Sequence, residues 1–217
     1  MLSVVAMLYV AGTIGFVIGA RDDARPGEDS LDVQFLQDMI SHHEQAIQLS
    51  NLELTAGVDA GIRGFAREIL TFQAYEIGIM EGKLAEWGRA PQDRTDTAMA
   101  WMDHPVPVDQ MPGMASEDEL RLLRQAAGAG VDALFVPLMQ DHHRGGVHMA
   151  DYAAEAASDP VVRALAARMV RNQRVEIGEL DAARQRAGLD PTPEGYVPAE
   201  IPADPADPET GHEGHGG

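Results

Sequence analysis

Between Ser30 and Gly188 the apolar residues of this chain recur at three- and four-residue intervals, and no stretch alternates with the period of a strand. That spacing gathers apolar side chains on one face of a helix. A first helix is predicted from about Ser30 to Thr55, broken at Gly57. A second begins at the cap Asp59 and runs to about Trp87, where Gly88 and Pro91 end it. Further on, Ser116 and Glu119 have capping-box spacing for a short helix, and Asp159-Pro160 combines a cap with a first-turn proline. Pro137 lies near the start of the helix before Asp159, where a kink is expected.

The pattern occurs twice. Residues 30–88 align without a gap on residues 130–188, each position matching the one numbered 100 higher. Asp32 and Asp132, Phe35 and Phe135, Met39 and Met139, His42 and His142, and His43 and His143 are all identical pairs. So are Asp59 and Asp159, Gln73 and Gln173, Glu76 and Glu176, and Gly78 and Gly178. A constant offset through His-His and Gln-x-x-Glu-Ile-Gly identifies a duplicated helical hairpin. The expected fold is therefore all-α, a four-helix bundle of two hairpins. Its parts are hairpin 30–88, a Met-rich connector 89–115, and second hairpin 116–188. Residues 21–29 read as a linker, and the Pro- and acid-rich residues from about 189 to 217 read as a disordered tail.

The apolar run from Leu2 to Ala20 is uncharged and about as long as a membrane-spanning helix. Residues 1–20 are read as a signal anchor or signal peptide, although the basic segment that opens a signal peptide is missing. The expected location is extracytoplasmic, either anchored to the cytoplasmic membrane or secreted after cleavage.

Polar residues interrupt the apolar stripes at matching places. Phe35, Met39, His42, Ala46 and Leu49 share one face of the first helix, so His42 is predicted to point into the core. His43 falls about 100° round, on the flank beside Met39, which stands one turn before it. In the second helix Gln73 and Glu76 break an otherwise apolar stripe, as Gln173 and Glu176 do in the last. Counted from the turn at Gly57, His42 lies level with Gln73, and Asp38 level with Glu76. A buried carboxylate must be protonated, paired or bound to a cation. His148 points away from this face and is expected at the surface.

Composition narrows the chemistry. With 35 Asp and Glu against 16 Lys and Arg, the formal net charge of −19 excludes a counterion-displacing nucleic-acid binder and suits a collector of cations. The chain has no cysteine, which excludes disulfides, thiolate metal sites and cysteine nucleophiles. Any metal must then be held by His, Met, Asp, Glu, Asn, Gln or backbone, and the candidate ligands are His42, His43, His142, His143, Glu76, Glu176, Gln73, Gln173, Met39 and Met139. The connector adds Met99, Met102, His104, Met111 and Met114 as a secondary set, and the tail adds His212 and His215 at the weakest. Thioether beside imidazole favours copper, as Cu(I) or Cu(II), with iron and zinc as alternatives. The Glu-x-x-His spacing of di-iron bundles is absent.

FLQDMISHHEQAI, FVPLMQDHHRGGVHMA, QAYEIGIMEGKLAEWG, NQRVEIGEL and the intervening MPGMAS together resemble the bacterial domain-of-unknown-function family 305. The resemblance spans about residues 30–185 and implies a ferritin-like helical bundle, commonly exported, with copper binding among some members. The sequence departs at Pro137, Arg144 and Gly145, which makes unequal metal sites in the two halves an expectation. Copper sequestration is the leading reading. A metal-dependent oxidase and a metal-free structural bundle are the alternatives, with self-association left open.

Overall fold

A computed structural model describes residues 25–93 and 95–201 of the chain. The apolar run Leu2–Ala20 and the tail histidines lie outside these residues. Among the described residues no helix is long and apolar enough to cross a membrane.

Four long helices form the body: α1 (Leu31–Ala56), α2 (Ala60–Glu86), α4 (Ala129–Ala156) and α5 (Pro160–Ala187), with the short α3 (Glu117–Gln125) before the second hairpin. The capping residues read from sequence do their expected work. Ser30 accepts from the Val33 amide, Asp59 from Gly61 and Ile62, and Asp159 from Val161 and Val162. Ser116 and Glu119 close a reciprocal capping box. Pro137 sits within α4, which continues unbroken past it.

The two hairpins are joined through α1 and α4, which pack against each other, whereas α2 and α5 meet along a thinner seam. The orientation of α1 and α4 follows from a reciprocal pair of caps. Asp32, in the first turn of α1, accepts from the Ser158 and Asp159 amides at the α4–α5 turn. Asp132, in the first turn of α4, accepts from Val58 and Asp59 at the α1–α2 turn. Each hairpin thus satisfies the orphan helix-start donors of the other. The inner helices must run antiparallel, and the halves are related by an approximate twofold.

Two apolar clusters fill the bundle. One joins Phe35 and Met39 of α1 with Met80 and Leu84 of α2, Met149 of α4, Met169 of α5 and the connector. The other joins Leu49, Ile62, Phe135, Met139 and Leu180 with Leu120 and Leu123 of α3. The histidine pairs lie along α1 and α4 between these clusters. Polar groups therefore form a layer across the middle of the bundle rather than a patch at one end.

The connector is more ordered than its sequence suggests. Two-residue strands β1 (Thr97–Ala98) and β2 (Val106–Pro107) pair antiparallel around a 3₁₀ turn at Ala100–Met102. Asp38 anchors this turn through the Met99 amide and the Trp101 indole N–H, both at 2.8 Å. The expected pairing of Asp38 with Glu76 is accordingly corrected. Asp38 is used to hold the connector, and since one connector serves two hairpins, its counterpart Leu138 needs no carboxylate. The tail is also corrected as far as Ile201. Tyr196 Oη and the Ala199 amide both donate to Asp141, at 2.6 and 2.8 Å, and tie residues 196–199 to α4.

Another buried acid also breaks the twofold. Glu53 is fully buried, where the second hairpin has Ala153, and its carboxyl oxygens find no N–H donor. Burial, then hydrogen bonding to Asp132, push its pKa up to about 9. The native state therefore keeps a proton that the unfolded chain gives up near pH 4.5. This contribution to stability is complete below that pH and is lost as pH rises towards 9. In Glu53→Gln the amide N–H donates to Asp132 without a titrating proton. Its melting temperature should gain on the wild type steadily between pH 5 and 9, as followed by circular dichroism.

Candidate metal centre

All four paired histidines are completely buried. His42 and His142 point into the α1–α4 seam and lie against each other, with ring centroids 3.8 Å apart and planes inclined by 36°. His43 and His143 are not the flanking residues expected from a helical wheel. Each faces the partner helix of its own hairpin, where His43 Nε2 meets Glu76 at 2.9 Å and His143 Nε2 meets Glu176 at 2.6 Å. The reason is that an inner helix has two packed neighbours. Turning ~100° from one of them leads to the other, not to water.

The hydrogen bonds fix which ring nitrogen carries a proton. His42 Nε2 is 3.1 Å from the Pro112 carbonyl, and His142 Nε2 is 2.8 Å from the His42 carbonyl. A carbonyl only accepts, so both Nε2 atoms are donors. Burial, with the neighbouring histidine charges adding to it, lowers the pKa of His42 to about 3 and that of His142 well below the ordinary value. Both rings are thus neutral over the physiological range, with the lone pair on Nδ1. His43 and His143 likewise direct Nε2–H at a carboxylate. In all four rings Nδ1 is buried without a hydrogen-bond partner.

Orphaned polar atoms also mark the glutamines. Gln73 Oε1 and both terminal atoms of Gln173 are buried and unpartnered. The expected His42–Gln73 pairing is replaced by the bond from His42 to Pro112. Among the described residues no three His, Asp or Glu side chains converge as a ready cation cage. The donors available in the layer are imidazole nitrogens and amide oxygens, with thioethers in the adjoining clusters.

Those thioethers are distributed unevenly. Met39, Met80, Met99, Met102, Met111, Met149 and Met169 are all buried in the first apolar cluster, Met114 packs against it, and Met139 belongs to the second. Met99, Met102 and Met111, read from sequence as secondary ligands in an irregular connector, are core residues. They enter the core because Asp38 folds that segment onto Phe35, whose ring meets Trp101 edge-on at 5.5 Å. His104 is exposed and His148 half-buried. Met80, Met149 and Met169 escaped sequence reasoning because they occupy ordinary stripe positions.

The connector also roofs the histidine layer. Residues 111–115 cross the α1–α4 seam, and Gln45 grips Ala115 through both amide atoms, at 2.9 and 2.7 Å. Gly145, at the position equivalent to Gln45, lets the strand pass: a Cβ there would overlap the Pro112 carbonyl. Gly113, with φ +76°, supplies the matching bend. One position of the repeat thus grips the strap in one hairpin and makes room for it in the other.

Two outcomes follow. Gly145→Ala, which in an open helix would add about 1 kcal/mol of stability, should instead lose about 1–3 kcal/mol through overpacking, measured by urea denaturation. For His42, the unfolded chain takes up a proton below pH 6.5, whereas the native ring resists until about pH 3. Its stabilising contribution is present above pH 6.5 and fades as pH falls towards 3. The stability difference between wild type and His42→Gln should therefore shrink on acidification from pH 6.5 to 4 in matched thermal melts.

The fold is shared with known proteins. The family profile of the Domain of unknown function DUF305 matches residues 32–184. A crystal structure of a DUF305 protein from Streptomyces coelicolor, taken to be secreted, is 33% identical with a TM-score of 0.71, covering 79% of this chain and 100% of that one. A DUF305 fragment from Deinococcus radiodurans is 30% identical, with a TM-score of 0.62 and coverage of 74% and 99%. CopM in its Cu(II)-bound form is 26% identical, with a TM-score of 0.55 and coverage of 72% and 97%. No curated protein matches the chain. With its twin histidine hairpins matched over most of their length, the chain belongs to the DUF305 family.

Proposed function

We propose that this protein binds copper outside the cytoplasmic membrane, sequestering it or holding it for transfer. The observation that carries the reading is the set of four buried imidazoles whose Nδ1 atoms have no partner. A neutral imidazole held through Nε2–H, with its other nitrogen bare, is the form in which histidine binds a metal. On this reading Glu76 and Glu176 orient His43 and His143 rather than bind the ion themselves. The buried imidazoles and nearby thioethers favour a soft ion such as Cu(I), which is content with few donors, over hard cations that need an oxygen cage. Met39 and Met139 are the nearest thioethers in sequence, and the Met-rich cluster lies alongside.

Two further facts support the reading. CopM, similar in fold and sequence, has been crystallised with Cu(II) bound. The net charge of −19 attracts cations to the surface, and a groove of about 580 Å³ beside the strap is lined by Glu44, Asp96, Asp109, Glu117 and Met114. An extracytoplasmic location fits the secreted assignment of the Streptomyces protein and the apolar run Leu2–Ala20.

The test is a competition titration of the full chain against a chromophoric Cu(I) chelator, beside the quadruple variant His42→Ala, His43→Ala, His142→Ala, His143→Ala. Affinity should fall at least a hundredfold in the variant. The melting temperature of the wild type alone should rise with copper, since saturation at a hundred times Kd adds about 2.7 kcal/mol. Unchanged affinity in the variant would reject the histidine layer as the binding site. A His42→Gln, His142→Gln chain that remains folded serves as the milder control.

A further inference from the structure

The glutamine of the second hairpin lies one rung from its histidine pair. His143 of α4 meets Glu176 of α5 at 2.6 Å. The two helices run antiparallel, so three residues onward on α4 and three back on α5 bring Gly146 opposite Gln173. The contact is direct, since a Cβ on Gly146 would overlap Gln173 Oε1. The Gln173 carboxamide thus fills the notch that any larger residue at 146 would occupy. Gly146 also stands four residues after His142, on the same face of α4 and one helical turn away. Gln173 is 3% exposed, and neither end of its amide meets a protein partner. A buried amide seldom leaves both its donor and its acceptor unmet. Because no hydrogen bond holds either end, the amide is free to turn its oxygen towards an ion. Gln73, on the equivalent rung with Ala46, has only its Oε1 in that state.

We infer that Gln173, seated by the Gly146 notch, is an oxygen donor to the layer and fits it to Cu(II) as well as Cu(I). The inference rests on the copper-binding reading above and concerns which oxidation states that site accepts. Imidazole serves both ions, whereas thioethers select Cu(I). An amide oxygen is a harder donor, which suits the mixed nitrogen and oxygen sets of Cu(II) and adds little for Cu(I). The other acceptors of the layer are already engaged by imidazole N–H groups: the Pro112 and His42 carbonyls, Glu76 and Glu176. Gln173 Oε1 has no such bond to give up. Gly146 is then a positioning residue, acting only through the space it leaves for the amide.

Affinities for the two ions can be measured separately on the full chain, by competition with a chromophoric chelator of each, the Cu(I) series without oxygen. Gln173→Leu roughly keeps the volume and loses the donor. Its Cu(II) affinity should fall about tenfold or more while Cu(I) affinity stays within about threefold. The electron paramagnetic resonance spectrum of bound Cu(II) should change with it. Gln173→Glu, which keeps an oxygen at the position, should hold Cu(II) at least as tightly as wild type. Gly146→Ala should reproduce the Gln173→Leu pattern by displacing the amide. Adding Gln173→Ala to Gly146→Ala removes the overlap, so melting temperature should recover whereas Cu(II) affinity should not. Unchanged Cu(II) affinity and spectrum in Gln173→Leu overturn the inference. So does an equal loss for both ions, which a packing role alone would give, or a wild type that takes Cu(I) and refuses Cu(II). In each of these cases copper binding stands. A wild type that binds neither ion rejects the copper reading and the inference together.

Discussion

The structure is organised around a layer of four imidazoles sealed between two apolar clusters. Rings in that position need an acceptor for each N–H they carry, since an unmade buried hydrogen bond costs about 1–3 kcal/mol. The chain supplies acceptors from four different places: Pro112 of the connector, the His42 main chain, Glu76 and Glu176. Each hairpin, the α1–α4 seam and the strap are thereby tied to the same layer. Satisfying one side of every ring leaves the other side bare. Those bare nitrogens are the source of the functional reading.

Duplication explains why the layer exists, and departures from duplication mark where the two halves meet different surroundings. The identical Asp32 and Asp132 act reciprocally, each closing the other hairpin's turn. A single connector cannot obey a twofold, so positions that meet it must differ. Asp38 and Leu138, and Gln45 and Gly145, diverge for that reason. Glu53, opposite Ala153, adds a further asymmetry through its burial beside Asp132.

Methionine serves two purposes in such a bundle. Its flexible side chain fills the irregular contacts that the folded connector makes with Phe35, Trp101 and the ends of α4 and α5. The same packing places many thioethers beside an imidazole layer, a combination suited to soft ions. The fold therefore needs no dedicated ligand cage to bring soft donors near the histidines.

By itself the sequence determined the helices, their caps, the hairpin repeat and the residues of the polar layer. These follow from local rules: a 3.6-residue period, side-chain oxygens that cap free amides, and identity at a constant offset. It also marked His42 and His142 as inward. Only the tertiary structure decided where the other side chains went. His43 and His143 became buried because each inner helix has two neighbours, and a single helix cannot reveal how many it will have. Asp38, Gln45 and Gly145 acquired their roles from a connector whose path depends on contacts more than fifty residues apart. Arg168 reached Glu76 only because the antiparallel seam brings α5 alongside α2. Local pattern fixes which groups must be buried, whereas long-range packing chooses the partner each buried group receives.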